Sequence, residues 1–257
     1  TGAGTSTEFT DNANWIGGVP GSGQLAVLPT GVSQQTLNVT DTNAAAGTLK
    51  IDDRNYFLNI NVDTADAILT LDGAGVTGGQ GAFIGISSFS GSGHTATLTL
   101  SGSADLDNTV IYNSGRLVFT GSAGAASAVI GQDSGGTLDI SGATTGVTLG
   151  SLNGGGTSAL GAKTLTILSD HGLPYSGVFT GGAASVLVKG DDGSAIGPGN
   201  PAGGVLTLTG DSSGFAGSVR VDKGYLQLGD GGSTGSINNR PVNLVAADSL
   251  LLFNRDN

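Results

Sequence analysis

One short phrase recurs along the chain, and it limits what the chain can fold into. The phrase is a small residue followed by apolar positions alternating with Thr or a charged residue around a central leucine. It reads Gly47-Thr-Leu-Lys-Ile51, Ala67-Ile-Leu-Thr-Leu71, Ala96-Thr-Leu-Thr-Leu100, Gly115-Arg-Leu-Val-Phe119 and Gly136-Thr-Leu-Asp-Ile140. It continues as Lys163-Thr-Leu-Thr-Ile167, Ser185-Val-Leu-Val-Lys189, Gly204-Val-Leu-Thr-Leu208, Gly224-Tyr-Leu-Gln-Leu228 and Ser249-Leu-Leu-Leu-Phe253. The step between central leucines is loose and averages about 22 residues, in the range of solenoid repeats. Period-2 alternation marks a strand with one buried face. Clusters of Gly, Ser and Asp between the phrases mark turns.

A strand repeated at this interval suits stacked coils of a parallel β-helix. One coil cannot bury its apolar face, but stacked neighbours bury a continuous core. Phe57–Ile60, Thr109–Tyr112, Val147–Leu149 and Ser218–Val221 read as further strands of the coils. The fold class expected is all-β, a parallel β-helix of about ten coils, a rod roughly 50 Å long at the usual strand spacing. A β-sandwich shares the short strands but does not account for the same leucine phrase returning each time. A β-propeller needs longer blades and more aromatic residues.

Composition agrees. The 257 residues include 48 Gly, and 37% are hydrophobic, enough for a core. Glu8 is the single Glu among 20 acidic residues. Asp prefers turns and caps where Glu favours helices. The net charge is −11, and the nine Lys and Arg are scattered, so no basic patch for nucleic acid exists. There is no Cys to build a disulfide framework. No apolar run approaches the length of a membrane helix.

The ends read differently from the middle. Residues 1–30 hold the only Trp, Trp15, and a turn-rich stretch from Gly17 to Gly23. They are expected to form an N-terminal cap and first coil, with Trp15 as a lid and 31–257 as the β-helix, because an uncapped solenoid exposes an edge. Leu250–Phe253 stops inside a repeat, so the natural polypeptide is expected to continue beyond Asn257.

The stretch Gly203–Gly210, the turn Asp211-Ser-Ser-Gly-Phe-Ala-Gly217, then Ser218–Gly224 and Tyr225–Ile237 closely resemble the passenger-associated transport repeat of bacterial autotransporters (type V secretion). Leu250–Asp256 is similar to that family's continuation. Asn14-Trp15 with Gly18-Val-Pro-Gly21 is similar to the first coils of such passengers. Gly214-Phe-Ala-Gly217 departs from the family's more usual aromatic-Thr/Ser-Gly-Gly run. The resemblance covers 203–257 specifically and the rest by composition. It implies a right-handed β-helix carried to the cell surface or outside a Gram-negative bacterium. Its partner in the precursor would be a C-terminal outer-membrane β-barrel, absent from this sequence, and 203–257 would aid secretion and folding.

Chemistry is harder to find. His94 and His171 both sit in turn sequences, outside metal-ligand spacing. Gly210-Asp-Ser-Ser-Gly214 matches a nucleophile elbow in letters, but a strand follows where the elbow needs a helix. The pairs Asp52/Asp53, Asp63/Asp66, Asp105/Asp107 and Asp191/Asp192 could serve a glycoside hydrolase or, with Arg54 or Arg116, a lyase; turn-forming Asp is the simpler account. Gly190–Gly193 and Gly229–Gly232 match no calcium loop. Gly154–Gly156 and Gly197–Gly199 are not phosphate loops. No catalytic, cofactor-binding or metal-binding residue is assigned, no cofactor is expected, and the binding residues are unknown.

The function expected is adhesion or self-association without catalysis, toward a host or bacterial surface ligand such as a glycan or the chain itself. The rival readings are a polysaccharide-acting β-helix enzyme and an inert spacer. Tyr56, Phe89, Tyr112 and Tyr175 are expected in the core. The longest steps between leucines place candidate binding loops at Gly73–Gly93 and Thr144–Gly161, since binding residues gather on loops over a rigid scaffold.

Overall fold

The computed structural model describes residues 6–28, 35–52, 56–78, 82–88, 91–193, 203–237 and 240–256. Within these the chain is an all-β parallel solenoid of about nine turns, close to the ten expected. One three-residue 3-10 turn, Asn12–Asn14, is the only helical element described.

Ten strands form one continuous parallel sheet. In order along the axis they are Gln35–Thr40, Tyr56–Asn61, Phe83–Ser87, Val110–Asn113, Ala125–Gln132, Gly146–Gly154, Thr164–Ser169, Val186–Lys189, Ser218–Val221 and Val242–Leu244. An eight-stranded sheet faces a different side of the coils: Leu25–Leu28, Asn43–Ile51, Ala67–Thr77, Ala96–Leu100, Arg116–Gly121, Thr137–Ala143, Thr157–Ala159 and Val178–Thr180. It ends there. Three strands, Val205–Leu208, Tyr225–Leu228 and Leu250–Phe253, form a separate sheet for the last coils.

The alternation read from the sequence is the alternation of burial. Leu49, Leu69, Leu98, Leu117, Leu138, Leu165, Leu187, Leu206 and Leu226 all point inward and are buried. They belong to one core that runs from Phe9 to Ile237. The phrase nevertheless does not keep to one sheet. The leucines from Leu49 to Leu138 lie in the eight-stranded sheet, Leu165 and Leu187 in the ten-stranded sheet, and Leu206, Leu226 and Leu251 in the third. Two strands in different sheets of the same coil need the same local pattern, so pattern alone does not say which sheet a strand joins.

Adjacent coils also meet at bare backbone. A Cβ on Gly73 would lie 2.6 Å from the carbonyl oxygen of Gly47, and one on Gly47 would lie 2.6 Å from Cα of Gly23. Such distances are too short for any side chain, so this corner requires glycine on consecutive coils.

The two expected binding loops are corrected here. The described part of Gly73–Gly93 is mostly strand, completing Ala67–Thr77 and forming Phe83–Ser87. Thr144–Gly161 holds Gly146–Gly154 and Thr157–Ala159. Every step from Leu49 to Leu138 holds one strand of the ten-stranded sheet, and the long step after Leu69 holds it as the short ones do; the long step after Leu138 holds one strand of each sheet.

Candidate functional site

At the N-terminal end, Phe9 is buried and Trp15 packs against it, ring centroids 5.0 Å apart. The Trp15 indole Nε1 donates to the Phe9 carbonyl at 2.6 Å. Glu8 pairs in parallel with Asn38, and its carboxylate accepts from the Thr40 hydroxyl at 3.1 Å and the Thr40 amide at 3.2 Å. The only Trp and the only Glu of the chain are therefore both spent on covering the first rung.

The acidic candidates resolve into turns and ion pairs. Asp52 pairs with Lys50 at 3.0 Å, while Asp53 and Arg54 lie outside the described residues. Asp66 accepts from the Thr95 amide at 2.7 Å and lies 3.7 Å from His94 Nδ1. The backbone amide of Asp63 donates to Asp41, whose carboxylate also accepts from the amides of Thr64 and Ala65 and from the Thr64 hydroxyl. Those donors hold the Asp41 carboxyl well below the usual carboxylate range. Asp105 accepts from the Asp107 amide at 2.7 Å, and Asp107 takes a left-handed conformation, φ 46°. Arg116 reaches Asp139 at 2.5 Å. Burial works against the Asp139 charge, but Ser141 and Arg116 together keep its carboxyl below its ordinary value.

The letters of the nucleophile elbow are a turn. Ser212, its central serine, is buried and accepts from the Phe179 amide at 3.0 Å. Asp211 accepts from the Ser213 amide and the Ser236 hydroxyl, which hold its carboxyl down at about 2. His171 has a left-handed backbone, φ 52°. It lines a cleft of about 350 Å³ with Ser169, Asp170, Asp192 and Thr207. In that cleft Asp170 is buried and its two oxygens accept from the amides of Gly172, at 2.8 Å, and Thr207, at 2.9 Å. Gly197–Gly199 lies outside the described residues. Among the described residues no group of three or more His, Cys, Asp or Glu could hold a metal ion.

Sequence reasoning missed a buried lysine beside this cleft. Lys189 is 1% exposed and stands in an inward position, in register with Ile167 on one coil and Val221 on the next. Its ammonium donates to the carbonyls of Leu168 at 2.7 Å, Gly190, Gly203 and, more weakly, Lys223 at 3.4 Å. Burial pulls its pKa from 10.5 down to about 8, while Asp192, Asp191 and Asp170 work against that fall. Lys223 closes the outside with an ion pair to Asp191 at 3.0 Å. The alternation through Val186-Leu-Val-Lys189 carried the signal: Leu187 inward places Lys189 inward.

The aromatic residues divide. Tyr175 is buried, packed on Phe179 at 4.9 Å, with its hydroxyl 2.8 Å from the Ser158 hydroxyl; burial pushes its pKa up. Tyr56 is also buried, as expected, and Phe89 lies outside the described residues. Tyr112 corrects the expectation of core packing: it is 54% exposed. Ile111 takes the inward place, so Tyr112 points out. Its ring stacks on Phe83 at 6.2 Å and 6°, and Phe83 stacks on Phe57 at 6.0 Å and 8°. Three parallel rings thus climb the outer face of the ten-stranded sheet.

Among the described residues the candidate acids are engaged in turns and ion pairs. One relative is informative. Over 182 residues, 69% of this chain, it is 30% identical to the adhesin BmaC autotransporter of Brucella suis biovar 1 (strain 1330). The parallel β-solenoid is consistent with a passenger domain of such an autotransporter. The chain spans 4% of the relative's length. It matches no family model, and no solved structure matches it.

Proposed function

We propose that this chain is part of the passenger of a Gram-negative bacterial adhesin and acts without catalysis. The observation that carries the reading is its similarity to an autotransporter named as an adhesin. The engagement of the candidate acids and histidines in turns, ion pairs and strand-end caps supports the non-catalytic half. A rigid solenoid with long polar outer rows suits many weak contacts spread over a large surface. In the precursor the partner is a C-terminal outer-membrane β-barrel, and the place of action is the cell surface or its surroundings. Residues 203–257 serve there as the transport repeat, whose strands give each following coil an edge to pair with.

The test has two arms. Beads coated with the purified chain are scored for attachment to host cells and matrix and for clumping with one another. Sedimentation velocity across a wide concentration range reports self-association in solution. Attachment or concentration-dependent association supports the reading. Inert beads together with a strict monomer overturn it in favour of a spacer.

A further inference from the structure

From the outer face of the ten-stranded sheet we infer that the aromatic stack Phe57–Phe83–Tyr112 ends in a saccharide-binding notch, floored by Gly131 and bounded by Asn153, that takes a neutral pyranose ring against Tyr112. The inference deepens the adhesin reading by naming the chemical class of a ligand, and it rests on that reading for its biological setting only.

The geometry begins with the register. Asn38, Asn59, Gly85, Tyr112, Gly131 and Asn153 occupy one outward row, each paired with the next. Tyr112 therefore stands between two glycines. They are glycine for different reasons. A Cβ on Gly85 would meet Asn59 Oδ1 at 2.9 Å and Phe57 Cε1 at 3.3 Å, so the stack and the asparagine already fill that space. A Cβ on Gly131 would meet Asn153 Oδ1 at 3.5 Å, the Ile111 carbonyl at 3.6 Å and Tyr112 Cδ1 at 3.8 Å, all ordinary contacts. Gly131 also lacks the left-handed φ that would demand glycine.

A glycine inside a strand weakens it and often marks a bulge, a bend or a close approach to the backbone; Gly131 lies beyond the register shift between Ala125 and Val129, in regular pairing, which leaves close approach. One face of the Tyr112 ring is taken by Phe83; the other looks over Gly131 toward Asn153, one rung on. A pyranose ring presents C–H groups on its faces and hydroxyls at its rim. The aromatic face suits the first, and the Asn153 amide, both donor and acceptor, suits the second. No residue of this row is charged, which favours a neutral sugar over a uronate or an amino sugar.

The probes are methyl glucoside, methyl galactoside and chitobiose, read by saturation-transfer NMR on the purified chain. At least one should show transfer to its ring C–H protons, and Tyr112→Phe should keep it. Tyr112→Ala should abolish it. Gly131→Val should abolish it as well, because it fills the notch in ordinary van der Waals contact with the edge of Tyr112 and leaves all three rings in place. Thermal unfolding of Gly131→Val, together with Gly131→Ala as the milder filler, guards against a folding defect. Equal transfer in Tyr112→Ala and Gly131→Val, or no transfer from any probe to the native chain, overturns the notch. Bead attachment with no sugar transfer to the native chain leaves the adhesin reading standing while the notch falls; sugar transfer with inert beads does the reverse.

Discussion

The coils from Leu25 to Thr180 and those from Val186 to Phe253 are built from the same leucine phrase but held together in different ways. In the first region two long sheets stack the same inward positions rung on rung, and the interior between them is largely aliphatic. In the second the eight-stranded sheet has ended, a three-stranded sheet has taken over, and the joint is closed by a buried ammonium among carbonyl oxygens. Where the side chains of neighbouring coils fall in register, dispersion and water exclusion suffice. Where the sheet changes, the carbonyls of Leu168, Gly190 and Gly203 converge at or beside strand ends, and a long flexible cation reaches all three at once.

Substitutions sharpen the contrast, beginning with the largest effect. Leu98→Ala, in the regular region, opens a cavity at a fully buried site and should cost about 3 kcal/mol in denaturant unfolding. Lys189→Met keeps the volume but orphans the joint's carbonyls, and should cost about 2 kcal/mol. Its hydrogen-exchange signature should centre on the coils flanking 186–221 and spare those before 100. A uniform loss of protection along the whole chain would erase the distinction between the two regions.

Acidity and alkalinity probe the same contrast. Lys189 has a folded value near 8 against an unfolded value of 10.5. Between those values the unfolded chain holds the proton and the folded chain does not, so this group alone makes the fold more stable as pH rises through that window. The native chain should gain stability relative to Lys189→Met between pH 8 and 10.5, as read from urea midpoints at each pH. Asp211 has the same sign of slope in an acid window, with the difference that its folded state favours the charged form. Its carboxyl is held at about 2 against an ordinary 3.8, so its contribution is present above pH 3.8 and is lost as pH falls toward 2. A carboxyl-carbon NMR titration with a midpoint at the ordinary value would remove the Ser236 and Ser213 contacts from the account.

The smallest effect belongs to the outer face. Phe83→Ala removes the middle ring of an exposed stack and should cost about 1 kcal/mol. It should also shift the Tyr112 ring resonances. Unmoved Tyr112 signals would mean that the three rings do not act as one stack.

Much of this was legible in the residues. The inward leucines, the parallel solenoid and the turn role of most Asp follow from alternation and turn chemistry. The sheet each strand joins did not follow, because Leu138 and Leu165 carry the same phrase and sit in different sheets. Coil length and corner geometry decide that, and neither is a local pattern. The same gap explains Gly73–Gly93 and Thr144–Gly161: strands that lack the phrase, such as Phe83–Ser87 and Gly146–Gly154, are invisible to a search for it, so the intervals that hold them look like loops. Residue type points Tyr112 to the core, whereas the parity of its neighbour Ile111 places it outside. Lys189 is hard to see for the converse reason: a charged residue at an inward position looks like the end of a strand.

The switch of the leucine phrase between sheets also bears on how such a chain can change over generations. Unequal recombination aligns stretches of DNA that read alike. An exchange between the segments encoding the Leu69 and Leu98 phrases would delete a unit and rejoin equivalent strands of one sheet, giving a shorter rod. An exchange between those encoding Leu117 and Leu165 would splice a strand of one sheet onto the continuation of another, and the coil would not close. The family of lengths open to this chain by duplication and loss is therefore set by where the phrase changes sides, and the regular region is the part free to grow or shrink.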